Sequence, residues 1–176
     1  WLNQLLIKFK NKRILIWDKQ ANDAWDTIQE LVRNAPILYY PNPKGMFAIK
    51  PDACNYGIGS VLYQLQWDNK LNKNIWRIID MFSQIIPKSM RMAHTSVHEG
   101  YAIAKSCQHW VFHLLKRPFL ITTDHKPLLK LFDDLSDLTD ITRKQLLRIR
   151  IAISEFEFEI RHVSAINNEL ADLLSR

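Results

Sequence analysis

The chain has 176 residues, with 24 Lys plus Arg against 18 Asp plus Glu, a formal net charge of +6 and 47% hydrophobic residues. That is ordinary globular usage over a length suited to one domain, or one domain and a piece of its neighbour. Apolar residues run through the whole chain, which excludes disorder, and charges or amides break every apolar stretch short of the ~18 residues a membrane span needs. A pI near 9.4 permits a polyanionic partner without requiring one. Cys54 and Cys107 are the only cysteines and form no C-x-x-C, so a reducing compartment is expected. The first residues, Trp1-Leu2-Asn3-Gln4, lack a signal-peptide layout, and a start on Trp suggests a cut from something larger.

In chain order, residues 1–13 are apolar and then basic (Lys8, Lys10, Lys12, Arg13). Asp18 is placed to cap a helix over about 19–34, with Ala24, Trp25, Ile28, Leu31 and Val32 on one stripe. Pro36, Pro41, Pro43 and Gly45 then punctuate the chain, and a domain boundary is expected near residue 40, dividing it into 1–40 and 41–176. Three strand-like runs follow, Phe47 to Ala53, Ile58 to Gln66 and Ile75 to Phe82, spaced as an antiparallel meander. Pro51 lacks a ladder donor, which predicts an edge or bulge there. A long helix is expected from Thr95 or Ser96 to Leu115, then a buried strand Phe119 to Thr123, a short helix Pro127 to Phe132 and a helix Thr139 to Ile153. Glu155 to Ile160 alternates strictly and reads as a strand, and a last helix covers Asn168 to Leu174. The order βββαβααβα predicts an α/β fold, a five-stranded mixed sheet with three antiparallel strands first, flanked by helices.

Four carboxylates stand out. Asp52 ends the first strand and Asp124 the fourth; Glu99 lies in the first turns of the long helix; Asp172 sits in the apolar run Leu170-Ala171-Asp172-Leu173-Leu174. An acid in such a run is costly unless it meets a cation. Acids converging on one pocket would need divalent cations, which suit phosphodiester hydrolysis; the alternative is four surface acids among 18. Arg143, Lys144, Arg148 and Arg150 form a basic cluster, and Asp133, Asp134, Asp137 and Asp140 an acidic run; each is either functional or a solvated face. His94, His98, His109 and His113 carry helical spacing without a complete zinc set. His98-Glu99 begins an H-E-x-x-H that Ala102 breaks, and Leu131-Phe132-Asp133-Asp134 only faintly echoes a polymerase Y-x-D-D.

Pro51-Asp52-Ala53-Cys54 and Gly57-Ile58-Gly59-Ser60-Val61-Leu62-Tyr63-Gln64 resemble T-D-A-S followed by G-x-G-x-V-L-x-Q. Glu99-Gly100-Tyr101-Ala102-Ile103 resembles E-x-L-A-I, Thr123-Asp124-His125-Lys126-Pro127-Leu128 resembles T-D-H-x-x-L, and Asn168 to Arg176 resembles N-x-V-A-D-x-L-S-R. Upstream, Trp17, Ala24-Trp25, Ile28-Gln29 and Ala35-Pro36-Ile37-Leu38 resemble W…A-F-x-x-L-K…A-P-x-L. These four carboxylate motifs in order resemble the ribonuclease H domain, with the preceding thumb and connection segment, of reverse transcriptases from Ty3/gypsy-type LTR retroelements and their pararetroviral relatives.

The resemblance implies a ribonuclease H-like fold and a metal-dependent endonuclease that hydrolyses the RNA strand of RNA–DNA hybrids. It implies two Mg²⁺, or Mn²⁺ in their place, held by Asp52, Glu99, Asp124 and Asp172. The polymerase domain of the same polyprotein is the implied partner, and the cytoplasm, a virus-like particle or the nucleus the place. His162 stands where the family usually has Tyr and where cellular and retroviral ribonucleases H have His, so it is a candidate acid or proton shuttle, or else a half-exposed strand-end histidine. The backbone around Asn55 to Gly59, Gly57 included, is the candidate contact to a 2′-OH. Asn168 is a candidate to position a phosphate, or an N-cap; Ser83 resembles a family serine; Arg143, Lys144 and Arg148 are candidates to track phosphates. Cys54 for Ser, Pro51 for Thr, Ser164-Ala165 for Pro-Gly and Ile149 for Trp depart from the family pattern. The alternative is a catalytically inactive nucleic-acid-binding or structural remnant on the same fold.

Overall fold

The computed structural model describes residues 18–33, 38–130, 139–163 and 169–175. The basic segment 8–13, the acidic residues 133, 134 and 137, and Asn168 lie outside the described residues. The chain divides into two compact units, Trp1–Ile37 and Leu38–Arg176.

In the first unit the described element is helix α1, Lys19–Arg33. Asp18 caps it, its Oδ1 accepting the Ala21 N–H at 3.0 Å. Of the expected stripe, Ala24 and Ile28 are half-buried, whereas Trp25 is 48% exposed.

The second unit is built on a five-stranded sheet of order β3-β2-β1-β4-β5, with β1 Phe47–Ala53, β2 Gly57–Asp68, β3 Lys73–Ile85, β4 Phe119–Thr123 and β5 Phe158–His162. β1, β2 and β3 form the antiparallel meander, whereas β4 runs parallel to β1 and β5 parallel to β4. The β2–β3 turn is closed by Asp68, whose Oδ1 accepts the N–H groups of Lys70 and Leu71, and Asn72 takes a left-handed φ of 50°. Pro51 lies in the central strand, and neither the sheet edge nor a bulge falls there: the one register shift is at Leu62/Tyr63. The β1–β4 pairing ends at Ile49, so past it β1 is laddered on one side only and tolerates the missing donor.

Helix α2, Thr95–His109, starts where His94 Nδ1 accepts the Ser96 N–H at 3.2 Å. The expected single long helix breaks at Trp110 (φ −102°, ψ 29°), and α3, Val111–Leu114, follows. Trp110 is 2% exposed and its Nε1 donates to Asp80 Oδ2 at 2.9 Å, so tertiary anchoring overrides helical continuity. The segment after β4 is a 3₁₀ helix, Lys126–Lys130. Helix α4, Asp140–Ile153, is capped by Thr139, whose Oγ1 accepts the Thr142 N–H. The strand expected at 155–160 begins later, because Phe156 turns into the core and its N–H bonds the Ile153 carbonyl.

Phe47, Ile49, Leu62 and Ile121 of the sheet pack with Val97, Ile103 and Trp110 and with Leu146, Ile149 and Ile153 of α4 in one core. A Cβ on Gly100 would stand 3.1 Å from Ile149 Cδ1, which marks how closely α2 and α4 approach. Helix α5, Glu169–Ser175, lies against β2 and β1. Gly59 is three residues from core-facing Leu62 and so faces the other way along the strand. A Cβ there would fall 2.4 Å from the Ala171 carbonyl and 2.5 Å from the Ser175 nitrogen. Gln64, 0% exposed, ties the preceding turn to β2: its Nε2 donates to the Asn42 and Gly45 carbonyls and its Oε1 accepts the Asn42 N–H. Among the described residues, no helix is long and apolar enough to cross a membrane.

Replacing Gly59 with Ala forces α5 off the sheet. Urea unfolding of Gly59→Ala is expected to show a loss of about 1–3 kcal/mol, the usual cost of overpacking.

Candidate metal centre

Because β1 and β4 are parallel neighbours, their carboxyl ends lie side by side, the edge of an open α/β sheet where sites form. Asp52 is the penultimate residue of β1 and Asp124 directly follows β4; Glu99, in the first turns of α2, reaches the same place from above the sheet. Each offers a carboxylate oxygen, and these oxygens all lie within 4.8 Å of one another. Asp52 is 8% exposed and Glu99 5%.

Burial pushes the Glu99 carboxyl up to about 8, and the Asp52 and Asp124 charges push in the same direction; the hydrogen bond from the Ala53 N–H opposes them. Glu99 Oε2 is buried with no hydrogen-bond partner. A buried, orphaned carboxylate oxygen facing two further carboxylates fits a hard divalent cation, which takes oxygen ligands and cancels their repulsion. Among the described residues this is the one such gathering of three or more His, Cys, Asp or Glu side chains.

Asp172 lies on α5 and is not one of the three clustered acids. One turn later Ser175 Oγ donates to Asp52 Oδ2 at 2.5 Å, and the same hydroxyl lies 3.0 Å from the Asp172 carbonyl. His162, exposed at the end of β5, is paired in register with Thr123, the residue before Asp124. His125, the residue after Asp124, has its Nε2 3.0 Å from Ser96 Oγ. Burial lowers its pKa, against the pull of Asp124.

The other candidate residues are spread around this centre. Asn55 is exposed in the β1–β2 turn. Gly57 and Gly59 are covered by α5: a Cβ on Gly57 would lie 2.6 Å from the Ser175 carbonyl. The Ser83 hydroxyl donates to the Leu174 carbonyl at 2.7 Å. On α4, Lys144 and Arg148 are exposed and Arg143 stands 3.5 Å from Asp140, a weak surface pair. The histidines at helical spacing have structural partners: His94 caps α2, His98 Nε2 meets the Met90 carbonyl at 2.7 Å, and His109 stacks on Phe82.

A family model described as the RNase H-like domain found in reverse transcriptase matches residues 17–121. The chain belongs to this family. The Tf2-3 and Tf2-4 transposon polyproteins of Schizosaccharomyces pombe (strain 972 / ATCC 24843) are each 27% identical to it over 162 residues. The match takes in 91% of the chain but spans only 12% of each polyprotein. Among solved structures, a foamy viral protease-reverse transcriptase in complex with dsDNA superposes with a TM-score of 0.62 at 10% identity, covering 86% of this chain and 30% of that one. RNase H1 from Halobacterium salinarum NRC-1 gives 0.51 at 18% identity, covering 74% and 92%. At these identities the likeness is one of fold, and the fold is ribonuclease H-like.

The raised Glu99 pKa has a consequence for stability. Between about 4.5 and 8 the folded metal-free protein holds a proton that the unfolded chain releases, so this group's contribution falls as pH rises through that window. Urea midpoints in EDTA should show that part of the pH slope in the wild type and lose it in Glu99→Gln. Mn²⁺ should raise the wild-type midpoint most at the alkaline end.

Proposed function

We propose that this domain is a ribonuclease H: a metal-dependent endonuclease that hydrolyses the RNA strand of RNA–DNA hybrids, working beside the polymerase portion of a retroelement polyprotein. The observation that carries the reading is the convergence of Asp52, Glu99 and Asp124, with the unpartnered buried oxygen of Glu99. Family membership supports it, since the matched span, residues 17–121, holds Asp52 and Glu99, two of the four motif acids.

Asp52, Glu99 and Asp124, joined by Asp172 from α5, would hold Mg²⁺, with Mn²⁺ as a substitute. Two such ions, when bound, supply a nucleophilic water at neutral pH and charge neutralisation on the phosphate. The protein's own residues do the rest. The exposed turn at Asn55 borders Asp52 and is suited to read a 2′-OH, the group that separates RNA from DNA. Gly57 and Gly59 shape that turn by admitting α5 behind it, and Ser83 holds the C-terminal end of that helix through the Leu174 carbonyl. Arg143, Lys144 and Arg148 carry positive charge along α4 for the hybrid's phosphates, a sequence-independent and salt-sensitive attraction. His162 moves a proton at its imidazole beside the strand that presents Asp124.

Cleavage of an end-labelled RNA–DNA hybrid, compared with RNA–RNA and DNA–DNA duplexes in Mg²⁺, Mn²⁺ or EDTA, tests the reading. Metal-dependent cutting of the hybrid's RNA alone is expected. Asp52→Asn should abolish cutting while hybrid binding persists; unchanged cutting refutes the assignment. His162→Ala should slow turnover by about 10²-fold, the low end of what a positioned acid or base supplies, and flatten one limb of the pH–rate profile. A wild-type profile and rate would remove His162 from the mechanism.

A further inference from the structure

We propose that Ser175 is a positioning residue of the carboxylate centre: its hydroxyl fixes the orientation in which Asp52 meets a divalent cation. The inference rests on the metal-centre reading above and adds a residue to it. Ser175 is 2% exposed and 123 positions from Asp52 in sequence, and its Oγ donates to Asp52 Oδ2 at 2.5 Å. That length is typical of a hydroxyl bound to an ionised carboxylate, where the bond is roughly twice as strong as a neutral one. A serine has one O–H to donate. The competing acceptor, the Asp172 carbonyl, is farther at 3.0 Å and neutral, so the charged oxygen takes the proton.

The seat of Ser175 is built by other groups. Gly57 and Gly59 let the backbone of α5 come within van der Waals reach of β2. Cys54 Sγ donates to the Ser175 carbonyl at 2.9 Å while it accepts from the Tyr56 and Gly57 N–H groups. Ser83 donates to the neighbouring Leu174 carbonyl at 2.7 Å. These contacts dock the helix through its backbone, which leaves the Ser175 hydroxyl for the carboxylate. With one oxygen held, the Asp52 carboxylate has its plane set before a cation arrives.

The test is Mn²⁺ binding to the full chain, followed by electron paramagnetic resonance and competed with Mg²⁺, beside the thermal midpoint in EDTA. Ser175→Ala is expected to keep the fold and bind Mn²⁺ about tenfold more weakly, as befits loss of a hydrogen bond to a charged group. Ser175→Thr, which keeps the hydroxyl, should recover most of that loss. Where Ser175→Ala unfolds, Ser175→Thr against Ser175→Val, a pair of one shape, asks the same question through the hydroxyl alone. Wild-type affinity in folded Ser175→Ala, or equal affinity in Thr and Val, overturns the positioning role and leaves the metal centre standing. A wild type that binds no Mn²⁺ overturns both.

Discussion

Mutual repulsion among three carboxylates, held within 4.8 Å with Asp52 and Glu99 buried, is the constraint around which this domain is arranged. Three such acids do not stay together unless the surrounding fold over-determines them, and here it does so from three elements. β1 and β4 bring Asp52 and Asp124 to one edge because parallel neighbours end on the same side. α2 brings Glu99 down onto that edge, and its close contact with α4 at Gly100 and Ile149 fixes the height. The electrostatic stress surfaces at the most enclosed member: Glu99 carries a carboxyl raised to about 8 and an oxygen without a partner.

The rest of the sheet serves this edge from both faces. One face holds the aromatic and aliphatic core, with Trp110 locked to Asp80 where the helical segment breaks. The other receives α5 between the β1–β2 turn and the end of β3. Its seat uses a glycine pair, a thiol and a hydroxyl, all directed at the helix backbone, and so it brings the Ser175 hydroxyl to Asp52 from beneath. The departure from the family pattern at Cys54 is accommodated here, since the sulfur both donates to the Ser175 carbonyl and accepts two turn N–H groups.

The glycines show how one sequence signal admits two physical causes. Gly57 and Gly59 are read from sequence as positions where a backbone approaches a ligand or turns tightly. What approaches is the chain's own last helix, at distances that no Cβ would allow. The nucleic-acid role proposed for the turn therefore falls to Asn55, which is exposed in the same turn. Ser83 is likewise engaged, its hydroxyl on the Leu174 carbonyl.

Local chemistry was legible in the sequence by itself. The strand β1, the cap at Asp18, the meander and the mixed five-stranded sheet follow from spacing and side-chain type, because they depend on neighbours within a few residues. Motif resemblance added the ribonuclease H-like fold and the reverse-transcriptase family. Only the tertiary structure decided the break at Trp110, the late start of β5 and the place of Pro51 in a central strand whose ladder is one-sided beyond Ile49. It alone decided that Asp52, Glu99 and Asp124 share one cluster, and that a serine 123 residues away holds the first of them. Contacts of that kind are set by strand order and helix docking, and no period or local propensity encodes them.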